Sequence, residues 1–426
     1  MDLRRTVAVG MALAAALPVW SATFTVAGPW RVSVEERGKT AEFEIQPPPR
    51  IVVTDERYDT LPVFNPNAGA WCQGTPLRGV RAIECSVCFA LDPASVKIRR
   101  ADDGTALVQD TDYRMNPGWG TVGWVKAPER PAPLLISYAY SRQRIDAVVR
   151  RSDGTIALRA GEPHVVLPRI PECAAGETLL GTAHVDAQTR QLTDANLFPI
   201  LPPADNPAPI AFNPPVKTLA KLKAGEPVKI LAWGDSVTAC GYIPDADKWQ
   251  EQFVRWLRAK YPRAKIELVS NGWGGRSTAS FLNEPPGSRY NFKETVLDVR
   301  PDLIISEFVN DAGLNQQGVD DRYGKQLLVP FRERGIEWVI LTPHYVRMDW
   351  MGLKSQKGCD DDPRPYVKAL RVFAAREGVG LADAARLWGG LWRRGIPYMT
   401  LETNNINHPD AFGMSLFAEA LKPLFE

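Results

Sequence analysis

The feature that most constrains the fold is an alternation of short apolar runs with helical patterns, which starts after Glu226. Five apolar runs are predicted as strands: 228–232, 265–270, 302–308, 337–342 and 379–382. Segments of helical period lie between and after them: 246–260, 290–299, 319–334, 364–377, 383–393 and 412–424. Such alternation predicts βαβ units, in which a parallel sheet carries helices on both faces. Residues 224–426 are therefore predicted to form an α/β domain.

The preceding half of the chain has a different pattern. Residues 23–201 form a succession of short β-type runs separated by turn residues, with no long segment of helical period. This pattern predicts an antiparallel β-domain, most consistent with a sandwich. Six prolines fall within residues 202–215, and such a segment behaves as a stiff, extended connector. We therefore expect an accessory β-sandwich domain over 23–201 and a proline-rich linker over 202–223.

The first residues resemble an export signal. Arg4 and Arg5 precede an apolar run over 6–20, which is followed by the small residues Ser21 and Ala22. A basic start, a short apolar segment and a small-residue cleavage site predict a secretory signal peptide over 1–22. An N-terminal helix of the mature fold is the competing interpretation. We expect a secreted or periplasmic protein, since no later run is long and apolar enough to span a bilayer.

Charge and cysteine content narrow the choice of partners. The net charge is +2 and no lysine or arginine block stands out, which argues against nucleic acid and anionic membranes as partners. Cys85 and Cys88 have the spacing of a metal or redox pair, but the chain has only six cysteines and four histidines. Disulfides or buried thiols are the favoured interpretation, with Cys240 and Cys359 as one conceivable pair. No metal or organic cofactor is expected.

A candidate nucleophile follows the first strand of the α/β half. Ser236 lies in the turn Gly234-Asp235-Ser236, and a hydroxyl there would be presented at the carboxyl end of the sheet. Serine catalysis also needs a base and donors for an oxyanion. His408, on the loop before the last helix, is the candidate base. The backbone N–H of Ser236, the glycine turn 271–278 and Asn310 are candidate oxyanion donors.

These motifs, taken in order, resemble those of the SGNH (GDSL-type) hydrolases. Four blocks match, and the match covers roughly residues 224–426: residues 234–236, 271–278, 308–311 and 405–409. The resemblance implies a flavodoxin-like three-layer α/β/α fold, with Ser236 attacking an acyl carbon and His408 as its base. It also implies that the N–H groups of Ser236 and Gly275 and the side chain of Asn310 bind the oxyanion.

Two residues depart from the family pattern. Phe308 replaces a glycine, and Asn405 stands where the family carries its catalytic aspartate. An amide orients an imidazole but supplies no charge, and loss of that charge costs on the order of 10⁴ in turnover in a serine-protease triad. Three outcomes remain open: a Ser-His dyad, weak activity, or a carboxylate from elsewhere. Sequence neighbours that could supply the carboxylate are Glu402, Asp410 and Asp311.

Further residues are expected to rim the site, because they follow strands of the same sheet. The substrate-binding candidates are Trp273, Arg276, His344, Arg347 and Trp350. Tryptophan stacks on the apolar face of a sugar, and arginine forks bind anionic groups. Each has a structural alternative: core packing for a tryptophan, a surface salt bridge for an arginine and a loop role for the histidine.

The function predicted from the sequence is that of an exported serine esterase. It would remove acetyl or other small acyl groups from a polysaccharide or oligosaccharide through an acyl-enzyme. The carbohydrate part depends on the family resemblance, the export signal, the β-domain and the tryptophans. The alternatives are an esterase or lipase of lipidic or aryl esters, a weakly active carbohydrate-binding protein on an SGNH-like scaffold, and an O-acyl transferase.

Overall fold

A computed structural model describes residues 21–204 and 209–426. Most of the predicted signal peptide and part of the proline-rich linker lie outside the described residues. We call residues 21–201 the N-terminal region and residues 209–426 the C-terminal region. No helix in the described part of the chain is both long and apolar enough to cross a bilayer.

The N-terminal region is built from antiparallel strands. They are β1 (Thr23–Gly28), β2 (Arg31–Glu36), β3 (Lys39–Glu44), β4 (Arg50–Tyr58), β5 (Thr75–Pro76), β6 (Leu91–Arg100), β7 (Tyr113–Asn116), β8 (Thr121–Trp124), β9 (Leu134–Ser141), β10 (Arg144–Arg150), β11 (Ile156–Arg159), β12 (Thr178–Val185) and β13 (Leu197–Pro199). Four sheets result, ordered β1-β2-β3, β4-β9-β6, β5-β8-β7 and β11-β10-β12-β13. The antiparallel prediction is confirmed, and the sandwich arrangement stays a prediction.

Alternation of side chains explains how these strands pack. In β2, Val32 and Val34 are fully buried, while Arg31 is exposed and Ser33 half-buried. Successive side chains of a strand point to opposite faces, so one face of β2 packs inward and the other meets solvent. The largest apolar cluster of the region gathers residues of β4, β6, β8 and β9, together with Ile406 of the C-terminal region. The two regions therefore share a core.

The C-terminal region contains one six-stranded sheet. Its elements are β14 (Ala211–Phe212), α1 (Val216–Ala224), β15 (Pro227–Gly234), α2 (Ser236–Ala239), α3 (Trp249–Lys260), β16 (Lys265–Gly272), α4 (Thr278–Asn283), β17 (Leu303–Glu307), α5 (Gln316–Val319), α6 (Val329–Glu333), β18 (Glu337–Leu341), α7 (Pro365–Glu377), β19 (Gly380–Ala382), α8 (Ala384–Gly389) and α9 (Ala411–Leu421). The order is β14-β19-β18-β17-β15-β16. All pairings are parallel except that of β14 with β19.

All five predicted strands of the C-terminal region are present, and so is the mixed α/β character. Two further segments, Lys293–Leu297 and Asp320–Leu328, are π-helical. The helices form two packing groups: α9 packs against α3 and α8, while α5 packs against α7 and the segment Asp320–Leu328 packs against α5 and α6. The predicted flavodoxin-like three-layer arrangement stays a prediction.

The centre of the sheet is densely packed around β15. Trp233, fully buried, lies edge-on against Phe308 with ring centroids 4.8 Å apart. Phe308, which replaces the glycine of the family pattern, therefore fills core space below the site. Two glycines permit close approach at the end of β15. A Cβ on Gly234 would lie 2.2 Å from Thr238 Oγ1, and one on Gly272 would lie 2.1 Å from Ala239 N.

The cysteines form no disulfides. All six lie in the described part of the chain and are free thiols. The suggested pairing of Cys240 with Cys359 is therefore wrong, and each of the two is a buried thiol. Burial raises the pKa of both thiols to about 11, so they remain protonated and inert at neutral pH.

Candidate active site

The turn that carries Ser236 is fixed at the carboxyl end of β15. Ser236 is the first residue of α2, and Asp235 caps this helix by accepting a 3.1 Å hydrogen bond from Val237 N. The glycine turn passes close by, since a Cβ on Gly274 would lie 3.8 Å from Ser236 Cβ. Gly275 has a φ of 71°, a left-handed conformation that glycine adopts at little cost.

Asp235 also fixes the side chain of Asn310. Asp235 Oδ2 accepts hydrogen bonds from Asn310 N and from Asn310 Nδ2, both at 2.9 Å. The amide of Asn310 carries two hydrogens, so one is held by Asp235 and the other remains for a further acceptor. Burial raises the pKa of Asp235 to about 7, and the N–H donors of Asn310 and Val237 oppose this rise. Asp235 is thus a scaffold residue of the turn.

Two more carboxyl groups lie buried below this turn. Asp311 accepts hydrogen bonds from Thr278 Oγ1 at 2.7 Å and from Tyr323 OH at 2.8 Å. Neither oxygen of Glu307 has a hydrogen-bond partner among the described residues. Burial raises the pKa of both carboxyl groups, and the neighbouring Asp235 raises that of Glu307 further. The Ser236 side of the site therefore lies on a buried, low-dielectric base.

His408 lies on a tightly bonded loop that precedes α9. Asn404 Oδ1 accepts hydrogen bonds from three successive backbone N–H groups, those of Ile406, Asn407 and His408. Thr403 donates to the carbonyl of His408 from both its N–H and its hydroxyl, at 2.7 and 2.9 Å. The imidazole stacks on Tyr242, with centroids 4.4 Å apart and planes 1° from parallel. Tyr242 follows the Ser236 turn in the chain, so this stack brings the two segments together.

The group next to the His408 ring comes from the N-terminal region. His408 Nδ1 lies 2.8 Å from Glu84 Oε2, an ion-pair distance. Nδ1 forms no regular hydrogen bond among the described residues, so the contact with Glu84 is an ion pair. The Glu84 side chain is half-exposed. Burial lowers the pKa of His408, and Glu84 opposes this shift.

None of the three carboxyl groups proposed from sequence neighbourhood pairs with His408 among the described residues. Asp311 belongs to the buried base described above. Asp410 caps α9 through Gly413 N at 2.8 Å and pairs with Arg169 at 2.6 Å. Glu402 is fully buried, and burial raises its pKa well above the usual range. Sequence reasoning therefore missed Glu84. The sequence signal that pointed towards such a residue was indirect: Asn405 carries no carboxylate, so any carboxylate beside His408 had to come from another part of the chain.

Asn405 occupies the place of the family's aspartate but contacts a different group. Its Oδ1 accepts a 3.2 Å hydrogen bond from Cys88 N, in the N-terminal region. The residue has a φ of 56°, a left-handed conformation that asparagine tolerates better than most residues. Asn405 therefore links the loop of His408 to the N-terminal region.

Two substrate-binding candidates lie beside the glycine turn. Trp273 stacks on Tyr290 with centroids 4.2 Å apart and planes 6° from parallel. The guanidinium of Arg276 lies over the Trp273 ring, 5.0 Å from its centroid. Trp273 is half-buried in this stack, while Arg276 is exposed. Of the two, Arg276 is the better placed to meet a ligand.

His344 lies in the core and not at the rim. It is fully buried, its Nε2 is 2.9 Å from the carbonyl of Asn407, and its ring packs on Trp388 and Phe417. Burial and the nearby Arg364 hold the pKa of His344 well below its usual range. The expectation that His344 touches substrate is corrected accordingly: its position is that of a neutral, structural histidine beneath the His408 loop.

Arg347 and Trp350 join an aromatic cluster shared by the two regions. Trp71 packs on Trp119 and on Trp350, with centroids 6.1 and 5.7 Å apart. Arg347 lies 4.8 Å from the centroid of the Trp119 ring and pairs with Asp349 at 2.8 Å. Trp350 is 48% exposed, which leaves part of its ring available to a ligand.

A cavity of about 410 Å³ lies between the two regions. Its lining includes Arg347 and Asn405 from the C-terminal region and Cys88 and His184 from the N-terminal region. Neither Ser236 nor His408, the candidate nucleophile and base, is among its lining residues.

Comparisons with known proteins show likeness at the level of structure. No protein-family model and no curated protein matches the chain. The acetylxylan esterase Axe2 from Geobacillus stearothermophilus is similar at 17% identity, over 48% of this chain and 96% of that one, with a TM-score of 0.38. A two-domain esterase (CEX) active on acetylated mannans is similar at 15% identity, over 49% and 51% of the two chains, with a TM-score of 0.37. LAE5, an alpha/beta hydrolase from the metagenome of Lake Arreo in Spain, is similar at 18% identity, over 46% and 94%, with a TM-score of 0.38.

Proposed function

We propose that this chain is an exported serine esterase that removes acetyl or other small acyl groups from a polysaccharide. Ser236 would be the nucleophile and His408 its general base. The observation that carries the proposal is the organisation of the Ser236 turn. A buried carboxyl group, that of Asp235, orders both the turn and the amide of Asn310, and a left-handed glycine lies in the facing turn. Such a set of fixed donors beside a hydroxyl suits acyl transfer.

The reaction would proceed in two halves. Ser236 Oγ attacks the acyl carbonyl carbon as its proton passes to His408, and the carbonyl oxygen becomes an oxyanion. The N–H groups of Ser236 and Gly275 and the second amide hydrogen of Asn310 would stabilise that charge. Collapse breaks the ester bond, and the sugar oxygen leaves with the proton from His408. A water then attacks the acyl-enzyme through the same base, releasing the acid and restoring Ser236.

The carbohydrate part of the proposal is supported by the surface around the site. Trp350 is exposed and packs on the half-buried Trp71, and Arg276 is exposed above Trp273. Aromatic faces stack on sugar rings, and an arginine fork binds oxygen-rich groups. The contact of Glu84 with His408 argues against a degraded, binding-only scaffold, since a carboxylate does reach the imidazole.

Hydrolysis of p-nitrophenyl acetate by the Ser236→Ala variant tests the nucleophile. We expect a loss on the order of 10⁴-fold or more in kcat, because loss of the nucleophile removes the acyl-enzyme route. Ser415→Ala is the matched control, because Ser415 bonds only within its own helix, to the carbonyl of Phe412. Activity retained by Ser236→Ala would remove the assignment.

Substrate class is tested separately with the wild-type chain. We expect p-nitrophenyl esters to be hydrolysed more slowly as the acyl chain lengthens, and acetylated xylan or mannan to release acetate. A preference for long acyl chains would instead support the lipidic-ester alternative. Transfer of acetyl to an added sugar acceptor would support an O-acyl transferase.

A further inference from the structure

We infer that Glu84, on a hairpin of the N-terminal region, is the positioning residue for His408, so that the active site is completed across the two regions. The inference depends on the proposed roles of Ser236 and His408. Glu84 would supply the carboxylate that Asn405 lacks. The N-terminal region would then be part of the catalytic unit.

The first support is the local geometry of the hairpin. Arg81 pairs with Ser86, and the N–H of Ala82 donates to the carbonyl of Cys85 at 3.0 Å, which leaves residues 83 and 84 at the tip. Glu84 has a φ of 65°, in the left-handed region that residues with a side chain disfavour. Glycine or asparagine is the usual choice at such a turn position. A glutamate held there, with its carboxylate 2.8 Å from His408 Nδ1, points to a role for that side chain.

The second support is that the hairpin is bonded to the loop of His408 on both sides of Glu84. Three hydrogen bonds run from the hairpin to the loop: Ile83 N to the carbonyl of Thr403 at 3.3 Å, Cys85 Sγ to the carbonyl of Asn404 at 2.6 Å, and Cys88 N to Asn405 Oδ1 at 3.2 Å. Ile406, from the same loop, is 4% exposed and packs in the apolar cluster of the N-terminal region. Glu84 and His408 are therefore held against each other by the surrounding backbone.

The third support is electrostatic. Of the titratable groups near His408, Tyr242 stacks on the ring, and His344 contacts the carbonyl of the neighbouring Asn407. The buried Glu402 lies 3.8 Å from His344. Burial raises the pKa of Tyr242 and Glu402 well above, and lowers that of His344 well below, their usual values, so burial favours the uncharged form of each. Asp410 is paired with Arg169. Among the described residues, Glu84 is the group whose charge raises the pKa of His408, and its carboxylate lies 2.8 Å from Nδ1.

A surface ion pair without function is the alternative, since the side chain of Glu84 is 56% exposed. Glu84→Gln in the full chain, assayed with p-nitrophenyl acetate across pH, separates the two. We expect kcat to fall about 10- to 100-fold, less than for a buried triad aspartate because solvent screens the charge. We expect KM to change less than about twofold, since no contact to substrate is lost. The melting temperature should be unchanged.

The pH profile supplies a readout that a purely structural role would not move. Glu84 raises the pKa of His408, so its removal should shift the acid limb of kcat/KM to lower pH. Glu42→Gln is the matched control. Glu42 lies on β3 of the same region, is 55% exposed and pairs with a basic side chain, that of Arg31. An unchanged kcat and acid limb in Glu84→Gln would overturn the inference.

A second measurement does not require esterase activity. The pKa of His408 can be followed by proton NMR titration of the folded chain, which contains only four histidines. We expect it to be lower in Glu84→Gln than in wild type and in Glu42→Gln. An unchanged pKa would overturn the inference whatever the enzyme does. A lowered pKa in a chain without Ser236-dependent hydrolysis would instead overturn the proposed function and leave the Glu84–His408 pair standing.

Discussion

The two sides of the candidate site are built in different ways. On the Ser236 side, Asp235, Glu307 and Asp311 are buried, and the hydrogen bonds of Asp235 and Asp311 lie within the C-terminal region. The His408 side is a loop bonded to the N-terminal region, and its charged partner, Glu84, is half-exposed. The Ser236 side is therefore held by one sheet, whereas the His408 side depends on contacts between the two regions.

We expect the largest loss of activity from a substitution on the Ser236 side of the site. In Asn310→Ala we expect kcat to fall by about 10²- to 10³-fold, the usual cost of losing one oxyanion donor. The measurement is kcat for p-nitrophenyl acetate, with melting temperature to show that the fold persists. Asn315→Ala is the control. It removes the cap of α5 and costs about 1 kcal/mol of stability, with kcat retained. Equal kcat in the two variants would contradict the assigned role of Asn310.

A smaller effect on activity, with a large effect on stability, is expected from Ile406→Ala. The side chain anchors the His408 loop in the N-terminal cluster, so its removal should cost about 2 to 5 kcal/mol and lower kcat by about tenfold. Ile98→Ala removes the same side chain from the same cluster, away from the loop. We expect Ile98→Ala to lose comparable stability in urea unfolding but to retain kcat. A similar kcat loss in both variants would mean that the loop is not specifically coupled to the N-terminal region.

The smallest effect concerns the buried carboxyl groups below Ser236. Burial raises the folded-state pKa of Glu307 well above its ordinary value of 4.5, so the unfolded state loses this proton at a lower pH than the folded state does. The stability that protonated Glu307 contributes therefore declines as pH rises above about 4.5 and up to the folded-state pKa. Glu307→Gln removes this loss. We expect the melting temperature of the variant, relative to wild type, to rise as pH increases above about 4.5. Glu267→Gln, which removes an exposed charge from β16, is the control. If the difference in melting temperature between Glu307→Gln and wild type does not change with pH, the buried environment inferred for Glu307 is contradicted.

The same contrast explains what could be predicted from the sequence. The strands of the C-terminal sheet, the turn at Ser236 and the position of Asn310 follow from local patterns, because each residue lies at the end of its own strand. Glu84 could not be predicted this way. It lies in a hairpin with no catalytic motif, and its approach to His408 depends on packing between segments that are far apart in the sequence. The expectation that His344 lies at the rim of the site did not hold for a related reason. Its position after a strand does not determine whether a loop histidine is buried.

The most direct test of the central claim is covalent trapping with a fluorophosphonate, which reports on the activated serine without knowledge of the natural substrate. The wild-type chain and the Glu84→Gln and Glu42→Gln variants are incubated with the reagent, and the adduct is mapped by mass spectrometry. We expect one adduct, on Ser236, forming about 10- to 100-fold more slowly in Glu84→Gln than in the other two chains. An adduct on another residue, or equal rates in all three chains, would contradict an active site completed by the N-terminal region.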